Sequence, residues 1–520
     1  APGFKGAAFG PEDLRIVMQG DCIAIAGGRP RGTLYGVYTF LEDYVGVRFL
    51  TPDHTHVPRL RGRCLVRPLE RDYHPLLAFR WSAYGENQHD HAFAARLRVN
   101  TVAEDETLGG KTPDILINHS FFRQLPLEVH AREHPEYFAE IDGKRRTDVE
   151  NAGGWHGTQL CLTNPDVLRI VTESVMEDLR RQPDTRCISV SMNDNLYNCR
   201  CPVCAELDEA EGSAMGTLLT FVNSVADAVA QEFPDVKVGT LAYIYSRKPP
   251  RTVLPRPNVR IQLCNIECCQ LHPITDPDCP KNTPFCGDMV GWGAICDDIY
   301  AWTYITNFRN YLLPCPNLHV LEPNIRFFVA NGARGIFMQG TYNAIAADLS
   351  DLRNYVVANL LWDPSRSAEA LMDEFLKLHY GPAAEPIRRF INLLRGKAEA
   401  SGRHQECNAE AAEYGLDETV AEEGMKAFAH ALEAAGSEEV RRRVAKASVS
   451  TYRLAIEPVW YLEDGAKPEK DLADRMRPLV GEFLELCERH GVTMEDEGTA
   501  LEKQRRRLQS LFGFGGRKDV

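Results

Sequence analysis

The sequence predicts an α/β protein: a (β/α)8-type barrel behind a small N-terminal α/β domain and ahead of a helical C-terminal domain. Three observations carry this expectation. From about residue 74, apolar runs of four to eight residues alternate with amphipathic helical stretches over roughly 270 residues, the pattern of βα units around a parallel sheet. A separate strand, turn, strand, helix pattern precedes them. From about residue 364 the strand signals stop and helical periodicity takes over. The domain bounds that follow are 1–67, 68–364 and 365–520.

In the first unit, Leu14–Met18 and Cys22–Ala26 are short apolar runs parted by Gln19-Gly20-Asp21. That is a strand, turn, strand pattern. Leu34, Val37, Tyr38 and Leu41 then recur at helical spacing, and Val47-Arg48-Phe49-Leu50 follows. In the barrel the expected strands are Ala78–Ser82, Cys187–Met192, Val236–Ile244, Val259–Ile266 and Gly335–Gln339, with helices over about 165–181 and 215–233. A doubly wound sheet is the runner-up, and it lacks the Gly-rich nucleotide fingerprint after any strand. The C-terminal helices are expected over 367–379, 384–402, 418–434, 437–464 and 469–490.

Composition excludes several function classes. The formal net charge is -14, which argues against nucleic acid, because phosphate contacts need clustered Lys and Arg. The runs Arg441–Arg443 and Arg505–Arg507 fall in the helical third, where solvated helix faces account for them. No apolar stretch reaches the length of a membrane-spanning helix. The chain opens on Ala1-Pro2-Gly3 without a leader pattern. A periplasmic or secreted location follows if a signal peptide was removed, and a cytoplasmic one otherwise. The 16 cysteines read as mostly reduced thiols.

Candidate chemistry lies at strand ends, where β/α barrels carry their active sites. The strand at Cys187 runs into Asn193-Asp194-Asn195, suited to sugar hydroxyls or an acetamido group, or else to a turn. The strand at Val259 closes on Glu267, costly in a buried strand unless paired or used. Glycosidases need two such carboxyl groups about the scissile bond, and Glu267 with Asp194 would supply them; a salt-bridged Glu267 is the alternative. Arg80, Trp81, Tyr84, His119, Trp302, Tyr304, Gln339, Tyr342 and Asn343 accompany the strand ends. Aromatic platforms with amides suit sugar rings, though each alone also fits core packing. Cys199, Cys201 and Cys204 form the sharpest local cluster, able to bind a structural zinc with Cys161 or His156 as fourth ligand. A disulfide-braced loop or free thiols remain alternatives, and the chemistry itself requires no cofactor.

Gly32-Thr33-Leu34-Tyr35-Gly36-Val37-Tyr38, with Gly46–Pro52, resembles the small N-terminal domain of β-hexosaminidases and α-glucuronidases. His134–Phe138, Leu160–Pro165, Asn193-Asp194-Asn195 with the cysteine cluster, and Leu360-Leu361-Trp362-Asp363-Pro364 resemble glycoside hydrolase family 163. That resemblance implies a retaining endo-β-N-acetylglucosaminidase acting on complex N-glycans, by substrate-assisted catalysis. It implies a glycan or glycoprotein partner. On this reading Glu267 is the acid/base, and Asp194, supported by Asn193, polarises the acetamido group. Another glycosidase such as an α-glucuronidase, which needs a cationic clamp, and a non-catalytic glycan-binding protein are the alternatives.

Overall fold

The computed structural model describes residues 9–514 apart from 21, 60–61, 63–69, 148–156 and 464. Ala1-Pro2-Gly3, Asp21 and His156 therefore lie outside the described residues. The N-terminal unit is built on β1 (Leu14–Gln19) and β2 (Cys22–Gly27), antiparallel with Leu14 opposite Gly27. Helix Gly32–Phe40 packs on them, and β3 (Arg48–Thr51) pairs with β4 (His54–His56). β5 (Glu70–Tyr73) adds to β1, so this sheet takes in residues past 67.

The central sheet is made of β6 (Phe79–Ala83), β9 (Cys187–Ser189), β10 (Lys237–Ala242), β11 (Val259–Cys264), β12 (Ile299–Tyr304) and β13 (Ala333–Gln339). A small hairpin, β7 (Glu140–Ile141) with β8 (Lys144–Arg145), lies between β6 and β9 in the chain. The strand order is β6-β13-β12-β11-β10-β9, and every pair is parallel. First and last strands of the unit are thus neighbours, so the sheet curls. Six regular strands replace the expected eight-unit ring. Between β6 and β9 the chain runs irregularly: Asn100 N donates to the Arg80 carbonyl at 3.4 Å, Thr112 N to that of Asn100 at 2.7 Å, and Ser120 N to that of Ser191 at 3.2 Å.

Two glycines make this curl fit. A Cβ on Gly239 would stand 2.0 Å from Ile117 Cδ1, so the irregular segment lies directly on β10. A Cβ on Gly335 would stand 2.7 Å from the Tyr300 ring and 2.8 Å from Phe79 Cβ. At the base, Arg260 lies 3.9 Å from the Tyr300 ring centroid and pairs with Asp114 at 2.7 Å and Asp298 at 2.9 Å.

Several boundaries differ from expectation. The Cys187 strand ends at Ser189 and the Val259 strand at Cys264, because the following residues turn into the loops described below. β12 is an unexpected strand. It alternates Tyr300, Trp302 and Tyr304 on one face with Ile299, Ala301 and Thr303 on the other, an aromatic face that reads as a ligand platform before it reads as a strand. The helix expected over 437–464 breaks into Glu438–Ala447, Val449–Ala455 and Glu457–Trp460; Pro458, in the first turn of the third, accounts for the second break, since it lacks the N–H that would bond back to the preceding turn. Helix Leu501–Phe512 is additional. No single helix among the described residues is long and apolar enough to cross a membrane.

One buried carboxylate joins the N-terminal unit to the central sheet. Glu12, 7% exposed, pairs with Arg31 at 2.6 Å and Arg80 at 2.6 Å, and accepts from Asn100 Nδ2 at 2.8 Å. Arg80 and Arg98 both lie over the Trp362 ring, 5.2 and 5.1 Å from its centroid, while Tyr35 meets that ring edge-on at 5.5 Å. Burial pushes the Glu12 carboxyl up, but Arg80 and Arg31 outweigh it and hold the group below its ordinary 4.5.

Replacing Glu12 with Gln leaves Arg80 buried without its counter-charge, and is expected to cost about 3–5 kcal/mol in urea unfolding. A depressed carboxylate stabilises the fold above its unfolded pKa and loses that contribution as pH falls through the folded one. The deficit of Glu12→Gln against wild type should therefore be full above pH 4.5 and shrink below it. Gly239→Ala is expected to cost about 1–3 kcal/mol by overpacking, partly relieved by Ile117→Val.

Candidate active site

Side chains from the C-terminal ends of adjacent strands converge on one mouth. Asp194 follows β9, Tyr243 follows β10, Cys264 ends β11, Tyr304 ends β12 and Gln339 ends β13. Asp194 is the centre. His119 Nε2 stands 3.7 Å from Asp194 Oδ1, and His119 Nδ1 lies 2.6 Å from the Met192 carbonyl. A carbonyl can only accept, so Nδ1 carries the proton and Nε2 is turned to Asp194. Tyr243 is close enough to Asp194 for the carboxylate charge to act on its phenol, and its ring meets His119 at 5.8 Å.

The phenols here are held neutral. Burial, then the Asp194 charge, pushes Tyr243 far above the ordinary phenol range. Burial does the same to Tyr304, reinforced by Cys264, Tyr243 and Asp194. Both remain hydrogen-bond donors at any physiological pH. Strained backbone flanks the site: Ile244, directly after Tyr243, has φ 49°, and Tyr342 has φ 32°. For a β-branched residue such a φ is costly, and such residues cluster at functional sites.

The aromatic wall is continuous. Trp302 stacks on Tyr304 at 6.0 Å and meets Phe337 at 5.1 Å. Trp81 meets Phe337 at 4.7 Å and Tyr342 at 6.2 Å. Tyr342 is exposed, and Asn343 beside it is half-buried with an Oδ1 lacking a partner among the described residues. Trp302 Nε1 donates to Gln339 Oε1 at 2.7 Å, and Gln339 Nε2 donates to Glu497 Oε1 at 3.0 Å.

Glu497 comes from the C-terminal helical region and was not expected. It sits in a tight loop between helices Lys470–Arg489 and Leu501–Phe512. Asp496 Oδ1 accepts from Gly498 N at 2.9 Å and Thr499 N at 2.8 Å, closing the turn. The Glu495 carbonyl accepts from Tyr311 N at 2.8 Å, which ties the loop to the segment after β12. Burial raises the Glu497 carboxyl above its ordinary range, and the charges of Asp496 and Asp194 raise it further. The acidic run Glu495-Asp496-Glu497 between two amphipathic helices is the signal that marked it.

Other expected residues sit elsewhere. Arg80 is 1% exposed and turned to Glu12 and Trp362, so it holds domains together and is not within reach of a ligand in the mouth. Tyr84 is fully buried against Gly340. Asn193 is 2% exposed; its Nδ2 donates to the Thr158 carbonyl at 2.7 Å and its Oδ1 accepts from Phe122 N at 2.8 Å, so it positions the Asp194 loop. Glu267 lies three residues past the end of β11. It is exposed and ion-paired with Arg247 at 2.7 Å, which also holds Asp288 at 2.7 Å.

Beneath the Asp194 loop, Cys161, Cys199, Cys201 and Cys204 are buried and free, with sulfurs all within 4.8 Å of one another. Cys161 and Cys201 sulfurs are 3.8 Å apart, matching the edge of about 3.8 Å that a tetrahedral Zn–S4 site requires. Glu140 N donates to Cys199 Sγ at 3.3 Å. The donor set therefore fits a structural metal.

A family model described as "Domain of unknown function (DUF4838)" matches residues 49–392, about two thirds of the chain. No curated protein matches. Among solved structures, the chain is similar to a GH138 enzyme targeting pectin rhamnogalacturonan II, at 10% identity and TM-score 0.40, over 97% of this chain and 90% of that one. It is also similar to a family 89 glycoside hydrolase from Clostridium perfringens, in complex with GlcNAc-α-1,4-galactose (10% identity, TM-score 0.49) and with PUGNAc (10%, TM-score 0.46). Each match covers 92% of this chain but only 61% of the family 89 chain. These structural neighbours are glycoside hydrolases.

If Asn193 positions the loop, Asn193→Ala should cost about 1–3 kcal/mol in urea unfolding, from stranded buried partners. Asp194→Asn, altering a half-buried group in the mouth, should stay within about 0.5 kcal/mol of wild type.

Proposed function

The chain belongs to the family described as "Domain of unknown function (DUF4838)", and we propose that it is a glycoside hydrolase working at the mouth around Asp194. The observation that carries this reading is the pairing of unlike carboxyl groups on one aromatic-lined rim. Asp194 lies beside the neutral phenol of Tyr243 and the imidazole of His119, while Glu497 is pushed up by burial, then by Asp496 and Asp194. A carboxyl group raised in this way suits the acid role, with a second carboxyl group nearby to polarise the substrate. Trp302, Tyr304 and Trp81 suit the apolar face of a sugar ring, and Gln339 its polar rim.

The finer assignment is a retaining endo-β-N-acetylglucosaminidase on complex N-glycans, supported by the sequence resemblance to glycoside hydrolase family 163. In that chemistry the acid protonates the glycosidic oxygen as its bond to C1 breaks, and the substrate's acetamido oxygen closes on C1. Asp194 holds the acetamido N–H, with Tyr243 and His119 steadying Asp194. Water then opens the ring, giving its proton to the acid's carboxylate. A complete β/α barrel, with the segment between β6 and β9 standing in for the missing strands, is the matching fold assignment. The four clustered cysteines are proposed to hold a structural zinc that braces the Asp194 loop.

Two carboxyl groups compete for the acid role. Glu497 is favoured by its raised pKa and its link through Gln339 to Trp302. Glu267 has the strand-end location expected of a barrel acid, but its recorded partner is Arg247.

Incubating the protein with a complex-type N-glycoprotein and weighing the released glycan tests the activity. Cleavage within the chitobiose core is expected. Release of a different sugar keeps the glycosidase reading and overturns the finer one; binding without release overturns both. Glu497→Gln should lower kcat by about 10²–10⁴, with activity regained on aryl glycosides whose leaving groups need no protonation. The wild-type rate should fall as pH rises through the Glu497 pKa, and that limb should vanish in Glu497→Gln. If Glu267→Gln shows these effects and Glu497→Gln does not, the acid is Glu267.

A further inference from the structure

A second donor cluster lies outside the cysteine set named from the sequence. Cys269, His272 and Cys279 come from the loop after β11, and His404 from the segment after helix Ala384–Ala400. Their ligand atoms all lie within 4.8 Å of one another. Cys269 Sγ is 3.3 Å from His272 Nδ1, and Cys279 Sγ is 3.1 Å from His404 Nδ1. The two imidazoles stack at 4.5 Å between centroids. A tetrahedral zinc with two sulfurs and two nitrogens needs S–N edges of about 3.5 Å, from bonds of about 2.3 and 2.0 Å. The pairs seen are a few tenths of an ångström inside that edge.

The surroundings are those of a built site. Cys269 and Cys279 are buried, and both are free thiols. Asn282, fully buried, accepts from Cys269 N at 2.8 Å and donates to the His272 carbonyl at 2.9 Å and to that of Pro273 at 3.1 Å, so one side chain fixes the loop that presents three of the four donors. Leu271 N donates to Cys269 Sγ at 3.3 Å, a bond that favours a thiolate. Outer hydrogen bonds of this kind orient metal ligands.

We infer that Cys269, His272, Cys279 and His404 bind a zinc-class divalent cation that fastens the C-terminal region to the rim of the central sheet. Four protein donors leave no open position, so the role is structural. The fastened segment matters to the mouth. Gln270 N donates to the Gln405 carbonyl at 2.7 Å, Phe308 N to that of Cys407 at 2.7 Å, and Asn307 Nδ2 to that of Ala409 at 2.8 Å. These bonds lay residues 405–409 along the segment that follows β12 and its terminal Tyr304. The inference stands on its own donors and does not depend on the glycosidase reading.

The test is metal content by mass spectrometry on the desalted full chain, read as differences. Wild type is expected to hold one equivalent of zinc more than Cys279→Ser and one more than His404→Ala. In a Cys204→Ser background, which breaks the four-cysteine set, the equivalent assigned to this cluster should remain. Metal-stripped Cys204→Ser refilled with cobalt(II) should show the visible bands of a tetrahedral thiolate–imidazole site, and chelation of wild type should lower its Tm until zinc is returned. Zinc content unchanged in Cys279→Ser, no tetrahedral cobalt spectrum in the Cys204→Ser chain, or a Cys269–Cys279 disulfide in the native protein would each overturn the inference.

Discussion

The junction between the N-terminal unit and the central sheet is built on a charge placed out of water. Glu12 is buried and would be costly alone. It is tolerable because Arg31, Arg80 and Asn100 converge on it from the N-terminal unit, from β6 and from the irregular stretch after it. One carboxylate thereby sets the position of three chain segments. The Trp362 ring, under the guanidiniums of Arg80 and Arg98, adds the helix Ser350–Trp362 to the same junction. β6 must be held at this point because it is the strand that brings the first and last parts of the sheet together.

The curl that results aims a row of strand ends at one place. Donors with elevated pKa values, an aromatic wall and Asp194 all come from the sheet, while Glu497 comes from the helical region. Its loop is held by a main-chain bond to Tyr311 and by Asp496 closing the turn. The helical region thus contributes a side chain that meets the strand-end residue Gln339. The two sulfur-rich clusters lie under and beside the loops that frame the mouth. Rigid support of this kind is what a site on loops requires to keep its geometry.

Much of this was legible along the chain. Alternating apolar runs and helical periods marked the sheet and the C-terminal helices, and strand-end placement pointed to Asp194, Trp302, Tyr304 and Gln339. A guanidinium beside Trp81 at a strand end reads as a ligand contact, whereas Arg80 is buried against Glu12. Period alone does not say that its side chain faces Glu12. Tyr84 and Asn193 follow the same logic: an aromatic or an amide near a strand end serves packing and loop-pinning as readily as binding. Within 437–464, Pro458 marks in the sequence the second of the two helix breaks.

The amino-acid order by itself determined element types, the acidic balance, the location of the strand ends and the close-set cysteines, because these follow from local periodicity and short spacing. The tertiary structure alone decided that the regular strands of the central sheet number six among the described residues, that Glu497 meets Gln339 across 158 positions of sequence, and that His404 faces Cys279 across 125. Contacts over such separations are set by how helices and loops pack on the curled sheet, and no local pattern encodes them.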